Sequence, residues 1–127
     1  FSFNANKNQV KELLTQSVNR QLNADVDVGL FLSGGIDSSL LLSLSKRIGK
    51  KLKTFSFTFF DDENDDLNFI NEITNQFSTD HHNFNFQNED LLKNIIEIQS
   101  FHDEPFSDSS CLPLYVLSKK ASNFANL

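Results

Sequence analysis

The chain has 127 residues, a formal net charge of −6, 39% hydrophobic and 22% charged residues, values that suit one packed domain and exclude a disordered chain. Its basic residues form no cluster larger than Lys46-Arg47 and Lys50-Lys51, which argues against a nucleic-acid partner, because gripping phosphates takes a basic face. The lone cysteine, Cys111, cannot close an internal disulfide, the apolar runs are too short for a bilayer, and no signal-peptide pattern opens the chain, so the expectation is a cytoplasmic protein with no membrane contact.

In chain order, residues 8–23 place Val10, Leu13, Leu14, Val18 and Leu22 at helical spacing and predict an amphipathic helix. Residues 26–32 form a short apolar run between Asp25 and the glycine pair after Ser33, the pattern of a buried parallel strand. Residues 38–48, with Leu40, Leu41, Leu42, Leu44 and Ile48, read as a helix stopped by Gly49. Residues 53–60 alternate Phe55, Phe57 and Phe59 with small polar residues, as a strand does. An acidic loop at 61–66 follows, and Leu67, Ile70, Ile73, Thr74 and Phe77 then mark the apolar side of a helix. Residues 81–86 read as a third strand, 89–101 as a helix with Leu91, Leu92, Ile95, Ile96 and Ile98 inward, 102–110 as an irregular loop, and 114–124 as a final helix. Phe, at 14 residues with one Tyr and no Trp, supplies nearly all the aromatic packing. Strands alternating with helices imply an α/β fold, a parallel sheet with right-handed crossovers that put helices on both faces. The chain ends just after a helix, where such a fold would start another strand, and it reads as a truncated domain.

The informative segment is Ser33-Gly34-Gly35-Ile36-Asp37-Ser38-Ser39, set between a predicted buried strand and a predicted helix. Parallel strands open at their carboxyl ends onto a ligand crevice, and a helix N-terminus offers unpaired N–H groups with a positive dipole end. Gly34 and Gly35 let the backbone turn and approach a polyphosphate, while Ser33, Ser38 and Ser39 add hydroxyls. Asp37 alone would repel phosphate, and its presence makes sense if it holds Mg²⁺ bridging phosphate oxygens. The segment is neither a Walker A loop nor a G-x-G-x-x-G dinucleotide turn. A glycine turn with Asp37 and Ser38 capping the helix is the plainer reading, and the full seven residues in strand–loop–helix context outweigh it.

This segment resembles the pyrophosphate loop of the ATP pyrophosphatase superfamily, and the residues around it resemble the asparagine synthetase family within it. Residues 25–32 are similar to that family's D-V-P-V-G-x-x-L entry, with Asp27 where proline is usual. Residues 55–59 resemble its second strand, whose backbone meets adenine, and His81-His82 stand at its H-H-E, with Asn83 replacing the glutamate. Asp103-Glu104-Pro105-Phe106-Ser107-Asp108-Ser109-Ser110, continuing to Pro113 and Tyr115, resembles its D-E-P-F-A-D-S-S-x-x-P-x-Y segment. The resemblance implies an adenine nucleotide alpha hydrolase-like fold, with residues 1–127 forming part of an ATP-pyrophosphatase domain of the asparagine synthetase C-terminal type. It implies ATP and Mg²⁺ as cofactors, activation of aspartate to an acyl-adenylate with release of pyrophosphate, and amidation by glutamine-derived ammonia. Ser33, Gly34, Gly35, Asp37, Ser38 and Ser39 would hold the phosphates, Asp37 also serving as the catalytic residue and metal ligand. Phe31 and Phe57 would flank adenine, and Asp103, Glu104, Ser109 and Ser110 would shape the substrate pocket. The family's second acidic loop and its glutaminase half, with an N-terminal cysteine nucleophile, are absent from these 127 residues, so this piece alone is expected to be inactive. The partners implied are small molecules, with a homodimer open to the full-length protein. Two alternatives stay open: an asparagine-synthetase-like amidotransferase acting on a sugar, peptide or other acid, and a non-catalytic nucleotide-binding module.

The lesser features point to structure. His81 and His82 are neighbours on a strand, so they face opposite ways and cannot chelate one metal as a pair. The acidic loop lacks the glycine and terminal glutamate of an EF-hand. Cys111 reads as a buried, inert thiol, and Lys119 and Lys120 as complements to a helix C-terminus.

Overall fold

A computed structural model of the chain describes residues 3–59, 65–87 and 92–124. In chain order it contains α1 (Phe3–Gln21), β1 (Gly29–Phe31), α2 (Ile36–Arg47), β2 (Lys53–Phe59), α3 (Asp65–Phe77), β3 (Asp80–Phe86), α4 (Ile95–Gln99) and α5 (Cys111–Ala121). The three strands form one parallel sheet in the order β1-β2-β3, with Phe31 opposite Phe55 and Phe55 opposite His82.

Side-chain alternation sorts the core into two halves. On one face, Leu30 and Leu32 meet Leu42 of α2 and Ile70 and Ile73 of α3. On the other, Phe55 and Phe86 meet Val116, Leu117 and Ala121 of α5. Helices thus cover both faces, as expected. Two crossovers of one hand, stepping the same way along the sheet, place α2 and α3 together.

Helices α2 and α3 end in the same way. Lys50 N–H donates to Ser45 O and Gly49 N–H to Lys46 O, each at 3.0 Å, with Gly49 at φ 84. Thr79 N–H donates to Thr74 O at 3.1 Å and Ser78 N–H to Asn75 O at 3.2 Å, with Ser78 at φ 50. Both are Schellman motifs, which close a helix through one left-handed residue.

Several expectations change. Helix α1 packs on α2 rather than on the sheet, so one narrow line suffices: Val18 is buried, whereas Val10, Leu13 and Leu14 are exposed. Strand β1 is limited to Gly29–Phe31 instead of 26–32. Of the helix expected at 89–101, Leu92 and Ile95–Gln99 are helical with a turn at 93–94 between them, and Ile98 is buried while Leu92, Ile95 and Ile96 are exposed; residues 89–91 lie outside the described residues, as does most of the acidic loop, at 61–64. Helix α5 begins at Cys111, three positions before the expected 114, because Asp108 closes its first turn: Ser110 N–H donates to Asp108 Oδ1 at 2.9 Å and Cys111 N–H to Asp108 O at 3.2 Å. Pro113 is tolerated so early in a helix because its missing N–H would have had no partner there. Lys119 and Lys120 do sit in the last turn of α5, yet Lys119 pairs with Glu97 at 3.1 Å and Lys120 lies 4.8 Å over the Phe86 ring.

The polar positions of β2 are not on a wet face. Thr54 and Ser56 are 0% and 1% exposed, facing α2 and α3 alongside Leu30 and Leu32. Parallel strands covered on both faces are usually continuous apolar runs. Here a ladder of hydrogen bonds satisfies the exceptions. Thr54 Oγ1 lies 3.0 Å from Thr79 Oγ1 and 2.9 Å from His81 Nδ1. Ser56 Oγ lies 3.1 Å from His81 Nε2 and donates to Asn83 Oδ1 at 2.8 Å, and Asn83 Nδ2 donates to Thr58 Oγ1 at 3.3 Å. Since Ser56 spends its proton on Asn83, His81 donates from Nε2 and accepts at Nδ1 from Thr54. Burial first, and then the charge of neighbouring His82, hold the His81 pKa below its usual value, against a hydrogen bond to the Thr54 backbone that raises it.

Candidate functional site: the loop at the carboxyl edge of the sheet

Strand β1 runs straight into the Ser33–Ser39 turn, and Leu32 N–H donates to Phe55 O at 2.7 Å, so the turn starts from a backbone tied to the central strand. Gly34 has φ 76, a left-handed conformation that any Cβ would strain. Gly35 is extended and caps α2 without a side-chain hydrogen bond. The first helical hydrogen bond is donated by Ser39 N–H to Gly35 O at 3.2 Å. The amides of Ile36, Asp37 and Ser38 therefore precede the helical ladder. They form a positive end at the mouth of the sheet.

The serine hydroxyls shape the turn. Ser38 Oγ and Ser39 Oγ both donate to Gly35 O, at 3.2 and 2.7 Å. Ser38 Oγ accepts from Ser33 N–H at 3.3 Å and lies 3.2 Å from Ser33 Oγ, which accepts from Gly35 N–H at 3.4 Å. These oxygens, read from the sequence as extra ligand donors, are engaged inside the turn. The Ser33 and Gly35 amides are engaged there too, which leaves the amides of Ile36, Asp37 and Ser38 as those ahead of the helical ladder. Asp37 is exposed in the first turn of α2. Among the described residues no group of three or more His, Cys, Asp or Glu side chains could hold a metal by itself. A single carboxylate beside an anion site does suit Mg²⁺, which keeps several waters and shares itself between one or two carboxylates and substrate phosphates.

Phe31, 38% exposed, meets Phe55 edge-on at 6.5 Å. Phe57 is half-buried, with its ring stacked on Phe86 at 5.8 Å. Continuing the β1–β2 register by two residues sets Ser33 level with Phe57, so the backbone of both phenylalanines lies beside the turn.

The 103–110 segment reaches the same edge by another route. The carboxyl-terminal end of α5 lies at the amino end of the strands, where the Phe124 carbonyl accepts from Lys53 Nζ and its ring lies 4.3 Å from His82. Helix α5 thus runs against the strands, and its first turn, with Ser109 and Ser110 before it, lies at their carboxyl ends. Asp103, Glu104, Ser109 and Ser110 are all exposed there. The Asp108 carboxyl is held below its usual pKa, chiefly by the Ser110 amide. Cys111 is half-buried rather than buried, with Sγ 3.6 Å from His102 Nε2.

His81 and His82 do face opposite ways. His82 stacks on Phe55 at 5.5 Å, and its Nε2 lies 3.3 Å from Asp80 Oδ1 without hydrogen-bond geometry. Asn83, where the family motif carries glutamate, both accepts from Ser56 and donates to Thr58, which a carboxylate could not do. Sequence reasoning missed this ladder and also the side chains bracing the 103–110 segment. Glu97 takes hydrogen bonds from the Tyr115 hydroxyl and Lys119, which lower its pKa, and Glu97 in turn raises that of Tyr115. Gln99 holds the backbone of Phe106. The available signal was the run of buried-strand positions filled by Thr and Ser opposite His and Asn.

The parallel sheet with helices on both faces has the adenine nucleotide alpha hydrolase-like fold. Two solved structures share the fold: an NH3-dependent NAD synthetase from Campylobacter jejuni (TM-score 0.60, 17% identity, covering 91% of this chain and 52% of that one) and an NMN synthetase from Francisella tularensis (TM-score 0.54, 21% identity, covering 81% and 42%). Residues 9–126 match the asparagine synthase family model, and the chain belongs to that family. It is 32% identical to glutamine-hydrolysing asparagine synthetase 1 of Bacillus subtilis over 89% of its length, and 27% identical to asparagine synthetase B of Escherichia coli over 90%. It spans 18% and 23% of the lengths of those two relatives.

Proposed function

We propose that the chain binds ATP at the Ser33–Ser39 turn and contributes to activating a carboxylate, aspartate, as an acyl-adenylate with release of pyrophosphate, before amidation by glutamine-derived ammonia gives asparagine. The observation that carries this reading is the trio of amides at Ile36, Asp37 and Ser38, ahead of the helical ladder and behind a glycine at positive φ. Oriented N–H groups stabilise charge that grows on a leaving pyrophosphate without reorganising. In the reaction the acid's oxygen bonds to the α-phosphorus, the bond to the β-phosphate breaks, and its electrons leave on pyrophosphate. Asp37 would hold Mg²⁺, which supplies neutralisation of phosphate charge. The backbone at Phe31 and Phe57 would border adenine, and Asp103, Glu104, Ser109 and Ser110 would line the acid's pocket. Residues 1–127 act in this reading as part of an ATP-pyrophosphatase domain completed by a second acidic loop, with ammonia delivered by a glutaminase half.

The test is acid-dependent pyrophosphate release by the full-length protein. Asp37→Ala should lower it by about 10² or more, the scale seen when one transition-state contact is lost. Unchanged turnover in that variant would refute the role of Asp37. Release driven by a sugar acid or a peptide instead of aspartate would reassign the acceptor.

A further inference from the structure

We infer that Gln99 is a positioning residue for the acid-binding segment at 103–110, acting through the backbone of Phe106; the role rests on the reading proposed above. Asp103 and Glu104 are exposed, and among the described residues neither enters a hydrogen bond or ion pair. No regular element contains them, so their placement is inherited from whatever anchors their neighbours.

That anchor is Phe106. Gln99 Nε2 donates to Phe106 O at 3.0 Å, and Phe106 N–H donates to Gln99 Oε1 at 3.3 Å. One primary amide serves both backbone groups of one residue, as a neighbouring strand would, and closes residues 99–106 into a bend carrying both carboxylates. The Phe106 ring is held separately, stacked on His102 at 4.6 Å and 13°. Gln99 has a firm base: it ends α4 next to Ile98, 3% exposed, and Glu97 in the same helix pairs with Lys119 of α5 at 3.1 Å. Beyond the bend, Asp108 secures the chain to α5. The segment is thus fastened at its middle and at its far end.

Only an amide of this length does both jobs. Ionised glutamate cannot donate to Phe106 O, and methionine fills the same space with neither bond. A protonated glutamate regains the donor, which makes the role readable through pH.

The experiment compares the full-length protein with Gln99→Met and Gln99→Glu. In Gln99→Met amide hydrogen exchange at Phe106 should speed up about tenfold, the size expected for a lost local contact, and less in Gln99→Glu, whose carboxylate still accepts from Phe106 N–H. KM for the acid should rise about tenfold, with KM for ATP and the melting temperature little changed. Lowering the pH into the carboxylate range should restore acid KM towards the wild-type value in Gln99→Glu but not in Gln99→Met. Unchanged Phe106 exchange in Gln99→Met would overturn the clamp. Faster exchange with an unchanged acid KM, or with acid and ATP KM rising together, would overturn the positioning role. A wild-type protein that releases no pyrophosphate with any acid would refute the proposed activity, and this role with it, whereas the exchange result reads the clamp independently.

Discussion

Replacing Gly29 by alanine tests how the central strand supports the turn. An added Cβ would sit 2.7 Å from Phe55 Cε2 and 3.3 Å from Cδ2, whereas carbon atoms rest at about 3.5–4.0 Å. The ring must therefore retreat by roughly 1 Å. It has nowhere easy to go: Phe55 is 0% exposed, and the rings of Phe31, His82, Phe84 and Phe124 stand 5.5 to 6.5 Å from its centre. Overpacking of this kind costs about 1–3 kcal/mol, partly offset by about 0.4–1 kcal/mol from a less flexible unfolded chain. The net expectation is a loss of about 1.5 kcal/mol, read as a lower urea midpoint at constant slope. Trimming the ring in a Gly29→Ala, Phe55→Leu pair should recover at least about 0.5 kcal/mol relative to additivity. An unchanged or raised midpoint for Gly29→Ala, or strict additivity in the pair, would refute the close-approach argument. Because Leu32 N–H is bonded to Phe55 O, the same displacement should also weaken ATP binding at the turn.

Further outcomes follow from other contacts. His81 is harder to protonate in the fold than at its ordinary value of 6.5, so the unfolded chain binds more protons just below that pH. Stability should therefore fall as pH drops through about 6.5 and level off below the folded-state pKa, and His81→Gln should remove this slope in pH-dependent urea titrations. Tyr115 is the single tyrosine, so its ultraviolet titration reads one group; Glu97→Gln should bring it down towards 10.0, its usual value. Ser78 closes α3 with φ 50, where Gly49 does the same for α2. Ser78→Gly should raise stability by about 0.5–1 kcal/mol in thermal melts.

What was legible in the sequence depended on how local its cause was. The Ser33–Ser39 turn, the strand–helix alternation and Gly49 are set by neighbours in the chain. The apolar side of α3 was also readable, because Ile70 and Ile73 are buried with Leu32 of the sheet and Leu42 of α2. Helices α1 and α4 misled: α1 was read as amphipathic and the apolar residues of α4 as inward, yet α1 rests on α2 and α4 on α5. Ser78 gave no signal, since nothing about serine announces a left-handed helix end. For the site, the residues of the turn could be named in advance, but not that their hydroxyls would be spent on the turn's own backbone. Gln99 and the Thr54–Thr58 ladder act across turns or strands, and only the paired register reveals them.

The ladder has a consequence for assembly of the sheet. Phe stands at 55, 57 and 59 of β2 and at 84 and 86 of β3, so sliding one strand by two residues would again stack Phe on Phe, and the greasy side alone is a poor judge of alignment. The hydroxyl side is not. A slip one way sets one nitrogen of His81 opposite Leu52, whereas a slip the other way sets Thr54 level with the Thr79 hydroxyl and takes it away from His81. Stranding that nitrogen costs about 1–3 kcal/mol, so the small polar residues proofread a phenylalanine-rich sheet against the slip its rings alone would tolerate.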